Sequence, residues 1–387
     1  MRILTIDVGT GTQDIYLYDS RLDIENGFKL VLPSPTMIVH RRIRQATRSG
    51  NPILLTGHQM GGGPSAWAVE AHAKAGLQVY ATEDAARTLN DELDKVRALG
   101  ITILSEEEAA ALPSRVEQIE FRDFDFAAIT NAFAGFGVTL SDLNAVGVAV
   151  FDHGAAPAGV SDRQFRFDYL DRRIRAENRL SAFAYLASEI PPILSRLQAV
   201  ADSAEGLDCP LVVMDTAPAA ILGATFDPMV GGLKRRLIVN IGNFHTLAFR
   251  IGAGIEGVFE HHTGEIDLSK LERLLRALAN GTLRHEDVFN DMGHGALIYS
   301  DEALPLGQGS FDVIVTGPRR SMYGRTSGST LRPYFAVPFG DMMISGCFGL
   351  LAATADVLPE LGDTLRASLR DAEGRGTAPW DVDQPEN

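Results

Sequence analysis

Apolar and polar positions alternate almost from the first residue. Ile3, Thr5 and Asp7 interleave with Leu4, Ile6 and Val8, and beyond a run of small residues Ile15 and Leu17 interleave with Tyr16 and Tyr18. A period of two on both sides of Gly9-Thr10-Gly11-Thr12-Gln13 predicts a β-hairpin with those residues at its tip. Residues 51–56 predict a short apolar strand, followed by the loop Gly57-His58-Gln59-Met60-Gly61-Gly62-Gly63-Pro64 and a helix over about 65–75. Strands at 77–81, 101–104 and 116–121, with helices over 83–99 and 123–136, lead to a buried strand at 145–151.

In the second half, 176–203 predicts one long helical stretch broken at Pro191-Pro192. Strands follow at 211–214, 237–241, 246–251 and 311–316. Leu268, Leu271, Leu274, Leu275 and Leu278 mark one face of an amphipathic helix over 267–279, and 342–355 predicts an apolar helix. Strands alternating with helices predict an α/β fold with parallel strands. The bend Gly242-Asn243-Phe244-His245-Thr246 between two strands repeats the plan of the opening hairpin. One hairpin per half predicts two lobes closing on a central cleft. Residues 1–205 would form the first lobe, with an α/β insertion around 51–120; 206–370 would form the second, and 371–387 a flexible tail.

A hairpin tip of glycines and threonines offers backbone N–H groups and hydroxyls to an anion, and Asp7 at the strand end can hold a hydrated Mg²⁺ beside it. A dinucleotide fingerprint would need a helix after the glycines, and a Walker loop would need Gly-Lys-Ser/Thr; a strand follows here, and no lysine does. The bland alternative is a structural turn.

Composition narrows the partners. The 387 residues are 45% hydrophobic and 22% charged, ordinary for a globular protein, and the net charge of −15 speaks against nucleic acid or an anionic membrane surface. No secretory leader pattern or long apolar run is seen, so a soluble cytoplasmic protein is expected. The two cysteines, Cys209 and Cys347, are too far apart in sequence for CxxC ligation or a CxxxCxxC iron–sulfur motif.

Histidines and carboxylates supply further candidates. In an extended segment Glu260 and His262 of Glu260-His261-His262-Thr263-Gly264 would face one side, where His294 could join them. Substrate recognition by Glu260, His261, His262 and His294 is one reading and a satisfied polar network another; a metal held by His153, His262, His294 and a carboxylate is a third. The Gly57–Pro64 loop can bind an anion at a helix N-terminus or permit tight packing.

Taken together, the motif order resembles the superfamily that joins sugar kinases, heat-shock ATPases and actin, and within it the FGGY carbohydrate kinases. Asp7-Val8-Gly9-Thr10-Gly11-Thr12 matches the first phosphate motif and Gly242-Asn243-Phe244-His245-Thr246 stands at the second, although the usual Gly-Thr-Ser is missing there. Asp152-His153-Gly154 is similar to the sugar-contacting turn of those kinases, and Asp215 stands where their catalytic aspartate would. Thr316-Gly317-Pro318 occupies the place of the nucleoside loop, with one glycine instead of two, which assigns Gly317 and Pro318 to the nucleotide. The blocks GHQMGGGP, FDHG, NIGNFHT, EHHTG, GHG and GDMMISGCFGLL also resemble a prokaryotic family labelled as pyruvate formate-lyase activating enzymes, a radical chemistry that two distant cysteines cannot support.

The resemblance implies a two-lobed actin-like ATPase fold, ribonuclease H-like in each lobe, with ATP and Mg²⁺ as cofactors. Gly9, Thr10, Gly11, Thr12, Gln13, Gly242, Asn243, His245 and Thr246 would cradle the phosphates, with Asp7 on the metal. Asp215 would serve as general base, or merely cap the helix that begins Thr216-Ala217-Pro218. His153 would touch substrate or only brace its turn. The expected activity is phosphoryl transfer from ATP to a small hydroxylated or carboxylated metabolite. An ATP-driven switch acting on a protein partner, or a binder without turnover, are the alternatives. Homodimerisation stays open.

Overall fold

The computed structural model describes residues 1–324, 328–370 and 376–382. The expected tail over 371–387 lies outside the described residues except for 376–382. There, Gly376 N–H donates to the Asp23 carboxylate and Thr377 N–H to the Arg21 carbonyl.

In chain order the strands are β1 (Arg2–Val8), β2 (Thr12–Asp19), β3 (Phe28–Pro33), β4 (Ile53–Gly57), β5 (Val79–Thr82), β6 (Thr102–Leu104), β7 (Glu117–Phe121), β8 (Ala145–Val150), β9 (Ala184–Leu186), β10 (Leu211–Asp215), β11 (Arg236–Ile241), β12 (His245–Ile251), β13 (Ile255–His262), β14 (Gly295–Ile298), β15 (Val313–Thr316) and β16 (Pro333–Phe335). They form three sheets, ordered β3-β2-β1-β8-β10-β9, β14-β13-β12-β11-β15-β16 and β6-β5-β4-β7. The first two share a plan. In each, an antiparallel meander (β1–β3 and β11–β13) is extended by a strand parallel to its first member, β8 beside β1 and β15 beside β11. The third sheet is all parallel and lies wholly between β3 and β8 in sequence.

Central strands read as unbroken apolar runs because both faces are covered. All six residues of β8 are buried. One core cluster joins residues of the first sheet, such as Val148 and Val213, to Ile238, Phe249 and Ile314 of the second. The helix Leu268–Ala279 presents its five leucines to the far face of the second sheet, as its period predicts.

The expected helix over 83–99 is two pieces, Glu83–Arg87 and Leu93–Ala98. Between them Asn90 Oδ1 accepts from Glu92 N–H, a local bond that competes with helix, and Thr88 Oγ1 accepts from the distant Met60 N–H, a tertiary tie to the glycine-rich loop. The expected stretch over 176–203 is also different. A helix occupies Asp162–Ala176, a short strand β9 pairs antiparallel with β10, and only Ser195–Asp202 is α-helical thereafter. The segment after residue 206 returns to the first sheet: β10 pairs in parallel with β8, and the helix Thr216–Ala224 follows it.

That helix crosses Ser345–Val357 at very short range. A Cβ at Gly223 would overlap the Ser345 carbonyl oxygen, and one at Gly349 would overlap the Ala219 carbonyl oxygen. Backbone cannot yield as a flexible side chain can. Gly223→Ala is therefore expected to cost at least about 1–3 kcal/mol, the range of overpacked cores, read as a lowered midpoint in urea. A midpoint equal to the parent's would show that the crossing is looser than described.

Candidate functional site

The hairpins β1–β2 and β11–β12 meet tip to tip. Both bends close alike: Gly9 N–H donates to the Thr12 carbonyl at 2.9 Å, and Gly242 N–H to the His245 carbonyl at 3.0 Å. A Cβ at Gly11 would overlap the Asn243 side-chain amide, so the two tips are in contact. A cleft of about 350 Å³ opens beside them, lined by Asp7, Gly9, Thr10 and Thr12 from the first hairpin and Gly242, Asn243, Phe244 and His245 from the second. Pro318 also lines it, whereas Gly317 packs beneath, close to the Asn240 side chain and the Ile241 carbonyl. Gln13 and Thr246 stand back from it: Gln13 Nε2 donates to the Pro33 carbonyl, and Thr246 is buried with its hydroxyl 2.9 Å from that of Thr263.

The hairpin register places Asp14 directly across from Asp7. Two like charges so opposed repel unless a proton or cation intervenes. Burial, with Asp215 nearby, pushes the Asp7 carboxyl up to about 6; burial, with Asp7 adding to it, pushes Asp14 up to about 8. Asp7 accepts from Thr216 Oγ1 at 2.5 Å, while Asp14 Oδ1 is buried with no hydrogen-bond partner among the described residues. An orphaned buried carboxylate oxygen beside a second carboxylate suits a hydrated Mg²⁺.

The Gly57–Pro64 loop lines the same cleft through Gln59–Pro64 and is also tightly packed. Gly61 N–H donates to Asp123, and its carbonyl accepts from Thr36 Oγ1 and Ser65 Oγ. The Phe244 ring lies against Gly63 and 5.8 Å, centroid to centroid, from Trp67. The loop thus braces the second hairpin.

Asp215 stands just behind the cleft lining, which Thr216 and Ala217 reach and its own side chain does not. It is buried, its Oδ1 caps the following helix at Ala217 N–H, and its Oδ2 lies 2.5 Å from Arg166 Nη1. Arg166 is wholly buried, stacks over Phe151 with its guanidinium carbon 3.9 Å from the ring centre, and reaches Glu260 Oε2 at 3.0 Å and the Asp152 carbonyl at 2.7 Å. The neighbouring carboxylates, Asp215 first, hold this guanidinium above its ordinary pKa against burial. Asp152 accepts from Gly154 and Leu197 N–H groups, which makes its carboxylate a turn brace.

The histidines converge. His153 follows β8, His245 opens β12, His262 closes β13 and His294 precedes β14. His153 Nε2 lies 3.1 Å from His294 Nε2. His262 and His294 ring centres are 4.6 Å apart, and His245 stacks on Phe151 at 4.1 Å. Glu260 Oε1 lies 3.4 Å from His294 Nδ1. The alternation predicted from sequence therefore sends Glu260 and His262 toward His294. His261 points the other way: its Nδ1 is 3.0 Å from the His262 carbonyl, and its ring packs near Gly293. Burial, reinforced by Arg166, pushes the His153 imidazole down to about 3 and lowers His245 and His294 as well, so these rings are neutral at neutral pH.

Sequence reasoning missed Arg166, Asp14 and Phe151. Asp14 was within reach, because a four-residue bend fixes Asp7 opposite it.

Residues 60–322 match a family model described as "Putative pyruvate format-lyase activating enzyme (DUF1786)". No curated protein matches the chain. Among solved structures, the ROK hexokinase from Thermus thermophilus has 12% identity and a TM-score of 0.22, covering 66% of this chain and 48% of its own. An exopolyphosphatase-like protein has 12% identity and a TM-score of 0.22, with coverage of 81% and 65%. A nucleotide-free acetone carboxylase has 12% identity and a TM-score of 0.19, with coverage of 65% and 44%. The chain thus spans about half the length of the hexokinase, 48%. Similarity at this level establishes neither fold nor function. Among the described residues, no helix is long and apolar enough to cross a membrane.

Proposed function

The chain belongs to the family that this model describes, and we propose that it is an ATP-dependent phosphotransferase of two-lobed, actin-like architecture acting on a small hydroxylated or carboxylated metabolite. The observation that carries this reading is the meeting of two like-closed hairpin bends on one cleft. Outward N–H groups of both bends, with the hydroxyls of Thr10 and Thr12, would hold the β- and γ-phosphates between them. Asp7 and Asp14 would hold Mg²⁺ through water, and the ion would neutralise charge developing on the transferred phosphoryl group. Pro318 and its neighbours would border the nucleoside. The two lobes would be built on the first and second sheets, and the first would run past residue 205, because β10 and its helix complete the first sheet. The activating chemistry in the family description does not carry over, because two cysteines cannot make a CxxxCxxC cluster.

One observation favours a second reading, an ATP-binding switch working on a protein partner. Asp215 is tied to Arg166 and to a helix cap, behind the cleft lining, and so lacks a free carboxylate for an acceptor hydroxyl. A nucleotide screen in thermal melts, followed by ADP release with and without metabolites, separates the two. The transferase should show ADP release stimulated by a metabolite, and the switch slow hydrolysis indifferent to metabolites. If no nucleotide with Mg²⁺ raises the melting temperature, both fail, since a ligand of the native state must stabilise it.

A further inference from the structure

We infer that His153, His245 and His294 form a site for a zinc-class divalent metal ion, its remaining coordination position open to the phosphate cleft. One ring nitrogen from each of the three lies within 4.8 Å of the others. The His153–His294 Nε2 separation of 3.1 Å is close to the edge of about 3.3 Å expected between two nitrogens each about 2.0–2.1 Å from a tetrahedral ion.

Hydrogen bonding among the described residues leaves His245 Nε2 and His294 Nδ1 both without a partner. Glu260 Oε1, 3.4 Å from His294 Nδ1, favours a proton on Nδ1 by its charge, which leaves His294 Nε2 a lone pair; the two atoms do not hydrogen-bond, and each is buried without a hydrogen-bond partner among the described residues. His153 Nε2–H could donate to that lone pair, but His245 Nε2 would remain buried with no partner among the described residues. A cation at the centre satisfies all three lone pairs together. Glu260, 3.4 Å from His294 Nδ1, then stands on the side of the ring from which a carboxylate would orient a metal-bound imidazole.

The surroundings suit a bound ion. Phe151 stacks on His245 and lies edge-on to His153, and His262 closes the side next to His294. The positive charge of Arg166 is offset by Asp215 and Glu260. His153 and His245 line the cleft while His294 is fully buried, so the uncovered face of the trio looks toward the phosphate cradle. Three imidazoles with one open position are the donor set of catalytic zinc rather than of structural zinc. This site is independent of the Asp7–Asp14 pair and takes a softer metal.

The test uses full-length protein stripped with a chelator and titrated with Co²⁺, which reports low coordination number through intense visible bands. One equivalent should bind with those bands, and Zn²⁺ should displace it. His153→Gln and His294→Gln should each abolish the bands, and Glu260→Gln should weaken binding about 10–100-fold. His261→Gln, on the opposite face of β13, should bind like the parent. Thermal melts identify any variant that fails to fold, and His245→Asn then replaces it. Absence of the bands in the parent, or parental affinity in two folded ligand variants, would overturn the site. The nucleotide reading is judged separately, since MgATP should still stabilise His294→Gln, and Co²⁺ should still bind Asp7→Asn.

Discussion

Arg166→Met is expected to lower stability by about 3–5 kcal/mol, the usual cost of removing one partner from a buried ion pair. The guanidinium has no exposed surface and contacts Asp215, Glu260 and the Asp152 carbonyl at once. Methionine fills much of the volume and the contact with Phe151, but leaves two buried carboxylates without a counter-charge. A domain that is stable by about 5–15 kcal/mol has little margin for this. Removing the carboxylates as well should restore most of the loss, because neutral groups need no counter-charge. The triple variant Arg166→Met, Asp215→Asn, Glu260→Gln should therefore be more stable than Arg166→Met alone, with strong non-additivity. Urea midpoints for the set decide it. A loss under about 1 kcal/mol for Arg166→Met would mean that water already reaches these carboxylates, contrary to their burial.

The same arginine shows where the sequence ceases to be legible. Eight of the fifteen residues in the helix Asp162–Ala176 are charged, so the segment has almost no apolar period to detect. Its buried face includes an arginine, and only the tertiary partners make that burial tolerable. β9 is three residues long and is specified by its pairing with β10 rather than by its own pattern. By contrast, the helix Pro35–Ser49, outside the elements predicted from periodicity, carries plain local signals at both ends. Ser34 accepts from Met37 N–H as the N-cap, Pro35 opens the first turn, and Gly50 ends the helix in the left-handed region.

The two hairpins were legible because alternation and small-residue bends are local properties. Their meeting across one cleft was suggested only by duplication. The histidine cluster was half legible. Strand alternation placed Glu260 and His262 on one face and suggested His294. His245 belongs there too, although sequence assigned it to the phosphate bend alone. One residue can serve both places because β12 begins where the bend ends, next to the tip of β8. Asp215 illustrates the opposite limit. An aspartate before Thr216-Ala217-Pro218 reads equally as base or cap, and only the position of Arg166 reveals how its second oxygen is engaged.

Asp7→Asn should separate ligand response from intrinsic stability. In the free protein Asp7 faces Asp14 across the hairpin, and its carboxyl is already pushed up to about 6. Asparagine removes the cost of burying a charge there, which Asp215 increases, and can still accept from Thr216 Oγ1, so the ligand-free variant should melt at or above the parent's temperature. Its response to MgATP should collapse, because the oxygen that would hold the hydrated ion no longer carries charge. At a ligand concentration 100 times the parent's Kd the parent gains about 2.7 kcal/mol; a 100-fold weaker variant gains only about 0.4 kcal/mol at the same concentration. Thermal melts with ATP, with Mg²⁺ and with both together read the two effects independently. Undiminished MgATP stabilisation in Asp7→Asn would move the metal away from the β1 carboxylate. A lower melting temperature in the ligand-free variant would instead make Asp7 a structural residue, because a group kept for binding is tolerated at some expense to the empty fold.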